Sequence, residues 1–492
     1  MGKVYLIGAG PGDEGLMTVK AAKVLKECTA VLYDRLSGNN VLKHINEECK
    51  VFYCGKEPGC HYKTQEEIND MIVSLSKEGH IVGRVKGGDP YVFGRGGEEA
   101  LRLYEEGIEF EVIPGVTSAI SVLNYAGIPI THRGIAQSFH VFTGRSSKNL
   151  DISWESVANL KGTLVFLMGL KNIEGITNNL ISNGMDENTP CAVIMRGTTS
   201  KQKRVTGNLK SIGDKVREAG FTSPCIIVVG KVVEFTQELG WYEKKPLFGW
   251  NVCVTRSKEQ AKSLSDKLLN LGAEVTEINS IKIKSTSSNL QNYMNKLENY
   301  DYIVFTSVNT VNIFFDYLKE REFDIRKLKA RVAAIGRATE SSIKERGIIP
   351  DITAGEFVAE ELFKCLKSEV QEGDKVLIPC SRDSRQYLYE ELIQCGCQVD
   401  RVHIYYPDIG EIVNVNSFND VDIVLFTSPS TVRNMIKMVG IEEISKKICV
   451  AIGPITEKEL VKNNIECFVC DEYCNEGLIK KLLQLKEDNI PT

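Results

Sequence analysis

Lys86-Gly-Gly-Asp-Pro-Tyr-Val-Phe-Gly-Arg-Gly-Gly-Glu-Glu99 follows a short apolar run (Ile81, Val82, Val85) and leads into a helical pattern from Glu98 to Glu106. Six of its residues are Gly or Pro: Gly87, Gly88, Pro90, Gly94, Gly96 and Gly97. Ordering so many glycines costs backbone entropy that a plain strand-to-helix connection has no need to spend. Glycine permits close approach of backbone to a ligand, with N–H and C=O groups bared to read it. Asp89 and Pro90 stiffen the turn, and Arg95 sets a permanent cation in it. The loop reads as a binding site.

Working outward, Val4–Ile7 is an apolar strand running into Gly8-Ala-Gly-Pro-Gly-Asp13. The dinucleotide fingerprint G-x-G-x-x-G fails there, because Asp13 occupies the third glycine's place and Pro11 lacks the N–H a pyrophosphate would use. Such a loop favours a ligand without phosphate. A second strand, Ala30–Tyr33, ends in Asp34, open to three readings: a turn cap, a ribose-binding acid or a general base. Lys56 and His61 flank a glycine turn, His61 in a supporting role. Glu111-Val-Ile-Pro-Gly-Val-Thr-Ser118 is a strand ending where Thr117 and Ser118 cap a helix or bind a ligand. Beyond the irregular link Gly127–Arg133 the pattern resumes: strands end at Met168-Gly169, at Arg196-Gly197-Thr198 and, from Cys225, at Gly230. Parallel strands alternating with helices predict a doubly wound α/β lobe on each side of a cleft.

These motifs resemble the uroporphyrinogen-III C-methyltransferases, of the tetrapyrrole methylase family, along nearly all of residues 3–236. The matching pieces are GAGPGD, LYDRL, GK-x-x-G-x-H, VKGGDPYVFGRGGEE, PGVTSA, AGIPITHR, MG, TP-x-A and RGT. The resemblance implies S-adenosylmethionine folded between two lobes, S-adenosylhomocysteine as product, and transfer of two methyl groups to uroporphyrinogen III to give precorrin-2. By it, Pro11, Gly87, Gly88, Asp89, Val92, Thr117, Ser118, Met168, Gly197 and Cys225 would line the cofactor pocket. Met168 is otherwise simple core filling. Asp34 would be the base; Lys56 and Arg95 would face the macrocycle's carboxylates. Glu57 and Arg145 depart from the family pattern. Family members are usually dimers, which implies a homodimer through this half.

After the break at Trp241–Trp250 the chain repeats itself. Asn251-VCVTRS and Gly272-AEV parallel Lys375-VLIPCSRDS and Gly396-CQV; Asp301-YIVFTS and Ala333-AIG parallel Asp422-IVLFTS and Val450-AIG. Two related α/β lobes are predicted, giving domains 1–245 and 246–492. Thr306-Ser307 and Thr427-Ser428 at strand ends, with Thr339 and Thr456 after Ile-Gly, would aim hydroxyls and helix N-termini into one crevice, suited to a polyanion; ordinary N-capping is the competing reading. This half resembles uroporphyrinogen-III synthase, through VTR, the two FTS segments, AIG-x-x-T and HIYYP. The resemblance implies cofactor-free closure of hydroxymethylbilane, with each lobe built from non-adjacent segments. Tyr405 matches a family tyrosine near the cleft, as a weak acid or merely as a lining aromatic.

The bulk properties agree with a multidomain enzyme of small molecules. The 492 residues are 42% apolar and 25% charged, with net charge −5, so no basic field recruits nucleic acid. The apolar runs are too short to span a bilayer. Fifteen cysteines without a paired framework, and no leader, predict a cytoplasmic protein. Cys467 and Cys470 lie an odd distance apart on a strand, pointing to opposite faces, and with Cys474 they find no fourth ligand, so no metal is expected. Two alternatives remain: a methylase of a later corrinoid precursor with a non-catalytic second half, and a nicotinamide-dependent oxidoreductase.

Overall fold

The computed structural model describes residues 2–34, 39–46, 48–55, 63–144, 152–256, 258–355, 359–410, 418–488 and 490. The first sheet contains β1 (Val4–Gly8), β2 (Ala30–Tyr33), β3 (Lys50–Tyr53), β4 (Val82–Lys86) and β5 (Phe110–Ile113), in the order β3-β2-β4-β1-β5. All its pairings are parallel. Its central strands are buried throughout because helices cover both faces. Val4 and Leu6 pack with Ile68, Ile72 and Leu103 on one side, whereas Tyr5 and Ile7 pack with Ala21, Val24 and Leu25 on the other. Period-two alternation thus feeds two cores.

The second sheet contains β6 (Phe139–Thr143), β7 (Thr163–Leu167), β8 (Pro190–Met195), β9 (Lys203–Asn208) and β10 (Cys225–Val229), in the order β6-β7-β10-β8-β9. Only β6 and β7 are parallel; β10 runs antiparallel to both neighbours, as does β9 to β8. The expected parallel second lobe is therefore corrected. The connection between β8 and β9 is too short for a crossover helix, so those strands must form a hairpin. Strand β9 itself escaped the sequence reading because no residue in it is fully buried.

In the carboxy-terminal half the strands are β11 (Asn251–Val254), β12 (Glu274–Glu277), β13 (Ile281–Ser285), β14 (Tyr302–Phe305), β15 (Arg331–Ile335), β16 (Ile352–Ala354), β17 (Lys375–Ser381), β18 (Gln398–Ile409), β19 (Ile423–Phe426), β20 (Ile448–Ala451) and β21 (Phe468–Val469). One sheet has the order β12-β11-β19-β20-β21, the other β13-β18-β17-β14-β15-β16. The two repeats have exchanged strands. Strand β11 of the first repeat pairs with β19 of the second, and β17 of the second pairs with β14 of the first. Each lobe is thus built from separated segments, and the strands quoted as repeats occupy equivalent places in the two sheets.

The stretch between the halves is anchored at both ends. Tyr242 packs on Tyr125 of the first half, whereas Leu247 and Trp250 lie within the core formed by β11, β12 and β19. Cys470 and Cys467, on either side of β21, join two different cores, as their odd spacing requires. Among the described residues no helix is long and apolar enough to cross a membrane.

Candidate active sites

Three loops converge at the carboxyl ends of β1, β4 and β5. Gly10 and Gly88 exchange backbone hydrogen bonds of 3.2 and 2.6 Å, and the Gly115 N–H donates to Asp89 Oδ2 at 3.0 Å. The approach is so close that a Cβ on Gly115 would lie 2.1 Å from the Gly88 carbonyl, and one on Gly8 only 2.5 Å from Gly115 N. Gly88 has φ 70°, a region open to glycine but disfavoured for other residues. The other Asp89 oxygen accepts from Tyr91 N at 2.8 Å, so this carboxylate fastens loops together. Thr117 caps the helix Ser118–Tyr125 through Ala119 N, and Val92 N donates to Asp89 O.

The second lobe brings its candidates to one end of its sheet, and the antiparallel β10 is the reason. Cys225 starts β10 beside Met195, which ends β8, and the next residue, Ile226, pairs with Leu167, which ends β7. Met168, Arg196-Gly197 and Cys225 therefore gather together. Met168 is 44% exposed with φ 57°, so it is not core filling. It shares an open cleft of about 650 Å³ with Thr143 and with Pro90, Tyr91, Phe93 and Arg95 of the first lobe. Cys225 is buried, bonded to Thr222 O, and burial pushes its thiol up to about 12. Gly197 lies against Val122, where a Cβ would come within 2.3 Å of that side chain. Pro11 sits in the loop whose Asp13 N–H donates to Thr198 Oγ1 at 3.3 Å, so the glycine loops of the two lobes touch. Asp13, the residue that breaks the dinucleotide fingerprint, accepts from Tyr125 OH at 2.7 Å and from Gly15 N at 2.8 Å.

Asp34 stands at the carboxyl end of β2, with Oδ2 3.6 Å from Arg84 Nη2. Arg84 in turn reaches Glu99 Oε1 at 3.1 Å, and the same oxygen accepts from Lys86 Nζ at 2.8 Å and Gln65 Nε2 at 3.0 Å. Arg84, Lys86 and Glu99 are all buried. Burial, reinforced by Arg84, lowers the Lys86 ammonium pKa. Sequence reading missed this cluster; the signal was a cation at alternate positions of a strand (Arg84, Lys86) opposite an acid in the following helix. Arg95 forms a two-pronged pair with Glu98, at 2.8 and 2.7 Å. Lys56, with His61, Glu57 and Arg145, lies outside the described residues.

In the carboxy-terminal half, Ser307 and Ser428 cap the helices Val308–Glu320 and Pro429–Val439 in capping boxes with Thr310 and Thr431. Both capping and facing a cleft hold for Ser307. It and Thr306 line a cavity of about 280 Å³ with Tyr405, whose OH is 3.2 Å from Ser307 Oγ. Burial raises the Tyr405 phenol above its ordinary value, opposed in part by the hydroxyl of Ser307. Thr427 and Ser428 follow β19 in the other lobe. Thr339 and Thr456 are buried within their helices, 4% and 3% exposed, and show little to a ligand. The cavity also holds Ser381, Ser384, Arg385 and Arg401, which sequence reading passed over. Arg401 donates to the carbonyl and hydroxyl of Ser384 at 2.6 and 2.9 Å, and Arg385 pairs with Glu360. Arg382 stacks on Tyr406, 4.2 Å from its ring centre. The string Ser381-Arg-Asp-Ser-Arg385 at a strand end was the visible signal.

Comparisons with known proteins follow the same division. A family model described as tetrapyrrole (corrin/porphyrin) methylases matches residues 3–213, and one described as uroporphyrinogen-III synthase HemD matches residues 262–480. The chain is 37% identical to the porphyrin biosynthesis protein HemD of Ruminiclostridium josui, over 99% of each. A uroporphyrinogen-III C-methyltransferase of Bacillus subtilis is 41% identical over 71% of this chain and 72% of its own. A crystal structure of uroporphyrin-III C-methyl transferase from Thermus thermophilus, complexed with S-adenyl homocysteine, is 38% identical over 47% of this chain and 99% of that one, with a TM-score of 0.41. The chain belongs to the tetrapyrrole methylases in its amino-terminal half and to the uroporphyrinogen-III synthases in its carboxy-terminal half.

Proposed function

We propose that residues 246–492 close hydroxymethylbilane to uroporphyrinogen III and that residues 1–245 methylate it twice to give precorrin-2, for sirohaem or cobalamin synthesis in the cytoplasm. The observation that carries this reading is the presence of both family matches on a single chain whose relative matches it end to end. S-adenosylmethionine is the methyl donor. Its sites are Pro11, Gly87, Gly88, Asp89, Val92, Thr117, Ser118, Met168, Gly197 and Cys225. In each transfer a ring carbon attacks the methyl carbon, the carbon–sulfur bond breaks to give S-adenosylhomocysteine, and a proton leaves the cationic macrocycle. Asp34 accepts that proton, oriented by Arg84. The cleft's part is alignment of carbon, methyl and sulfur. Lys56 and Arg95 anchor acid groups, Arg95 by exchanging Glu98 for a substrate carboxylate of the same geometry. This half acts as a homodimer.

In the second half no cofactor is required. Tyr405 remains a phenol at neutral pH and donates to the departing hydroxyl, while Thr306, Ser307, Thr427 and Ser428, with backbone N–H groups at the starts of the helices that bury Thr339 and Thr456, hold the substrate's anionic groups. The test is mass spectrometry of products from hydroxymethylbilane and S-adenosylmethionine. Two methyl groups on a closed type III macrocycle is the expected result. Methylation of preformed uroporphyrinogen III alone would demote the second half to a docking module. No transfer to either substrate would overturn the reading.

A further inference from the structure

The loop Arg196–Gln202 carries Gly197 of the proposed cofactor pocket, and its backbone is strained. Arg196 and Thr198 both adopt positive φ, 47° and 68°, which non-glycine residues hold only when their surroundings over-determine it. Thr198 is held at every polar group. Its N–H donates to Gln202 Oε1 at 2.9 Å, its carbonyl accepts from Tyr242 OH at 3.4 Å, and its hydroxyl accepts from Asp13 N. Gln202 itself donates to Tyr125 O and Glu243 Oε1.

Two further residues of the same loop, Ser200 and Lys201, reach across to the carboxy-terminal half. Ser200, 2% exposed, donates to Glu274 Oε2 at 2.9 Å. Lys201 Nζ contacts both oxygens of Asp422 at 2.8 Å, and Asp422 Oδ2 also accepts from Asn251 N at 2.7 Å. Glu274 begins β12, an edge strand of the carboxy-terminal half. Glu277, which ends it, lies 3.9 Å from Lys43 of the first methylase lobe, itself paired with Glu14 at 2.9 Å. A single synthase strand therefore touches both lobes of the methylase.

We propose that β12 and Asp422 are positioning elements of the methylase: they hold loop Arg196–Gln202 in the conformation that S-adenosylmethionine and S-adenosylhomocysteine require. The inference rests on the reading of that loop as a cofactor wall. It makes the second half a structural partner of the first as well as an enzyme in its own right.

Calorimetric titration of the full-length chain with S-adenosylhomocysteine tests it. Lys201→Met and Asp422→Asn each weaken binding roughly three- to fivefold, the scale of one half-buried ion pair. The double variant is no worse than the weaker single, because both remove the same contact. Lys201→Arg restores affinity, and Ser200→Ala repeats the loss through the other contact. Asp422 belongs to the other half, so a loss on its replacement reports coupling across the interface rather than damage to the loop. Unchanged affinity in Lys201→Met, Asp422→Asn and Ser200→Ala, or losses that add in the double variant, would overturn the proposal while leaving the cofactor reading intact. Failure of the unaltered chain to bind S-adenosylhomocysteine would overturn that reading, and this inference with it.

Discussion

Replacing Gly115 by alanine adds one methyl group where three backbones meet. The new Cβ would lie 2.1 Å from the Gly88 carbonyl oxygen and 2.7 Å from Gly8 Cα, against 3.4 Å for ordinary contact. Both neighbours are main chain, so neither can rotate aside. The loops after β1 and β4 must separate from the loop after β5 by roughly 1 Å or more, a distance at which small-to-large changes cost about 1–3 kcal/mol. That shift pulls on the Gly10–Gly88 hydrogen-bond pair and on the Asp89 contact to Gly115 N. Each such bond contributes about 1 kcal/mol net. The cost falls on these loops, because the strands beneath them are buried and tightly registered.

Titration with S-adenosylhomocysteine reads the effect directly. Gly115→Ala loses at least about tenfold in affinity, equivalent to roughly 1.4 kcal/mol. Ring closure by the carboxy-terminal half continues at the normal rate. Gly97→Ala supplies the contrast. Nothing lies within 4 Å of a Cβ there, and Gly97 sits inside the helix Gly96–Glu105, where alanine is the better helix former by about 1 kcal/mol. Wild-type affinity in Gly115→Ala would refute the claim that close backbone approach, rather than loop flexibility, is why glycine occupies these positions.

Other outcomes follow from the same geometry. Gly97→Ala binds S-adenosylhomocysteine normally and unfolds at an unchanged or slightly higher temperature by calorimetry. Tyr405→Phe lowers kcat for cyclisation roughly tenfold or more; because burial raises the native phenol, the wild-type rate shows no tyrosine-dependent fall between about pH 7 and 9 in stopped assays. Arg401→Ala, which removes a cation from the cavity beside Tyr405 and frees Ser384, raises KM for hydroxymethylbilane about tenfold while methylation of preformed uroporphyrinogen III is unaffected. Iodoacetamide at pH 8 labels exposed Cys474 well before Cys28, Cys225 and Cys449, whose thiols burial holds at about 12 and therefore protonated, as peptide mass mapping will show.

What was legible in the sequence was local. Glycine-rich loops after apolar runs located the carboxyl ends of β1, β4 and β5, and the odd spacing of Cys467 and Cys470, which flank β21, sent them to different cores. What was not legible depended on partners far along the chain. Direction of pairing in the second sheet could not be read from runs such as Cys191–Met195 and Cys225–Val229, since a fully buried strand looks alike in either direction. The Arg84–Glu99–Lys86 cluster needed a helix folded back over its strand. Thr339 and Thr456 share a motif position with plausible ligand groups, yet packing of their helices turns them inward.

The exchange of strands between the two repeats bears on how the second half makes a site. If each repeat folded on itself, each lobe would carry one copy of the FTS cap from its own repeat, and a single hinge would join them. Instead β17 and β18, with Tyr405 and the serine–arginine string, come from the second repeat, whereas Thr306 and Ser307 beside them come from the first. The Ser307–Tyr405 contact is thus a contact between repeats, 98 residues apart. In the other lobe Asp422, just before β19 of the second repeat, holds Asn251 at the start of β11, in the first, and through Lys201 holds the methylase. Chain must therefore cross between lobes in both directions, so lobe motion is constrained by two strands of backbone rather than one. The site beside Tyr405 therefore exists only when both repeats are folded together, because its two walls meet through the pairing of β14 with β17 and the contact of Ser307 with Tyr405.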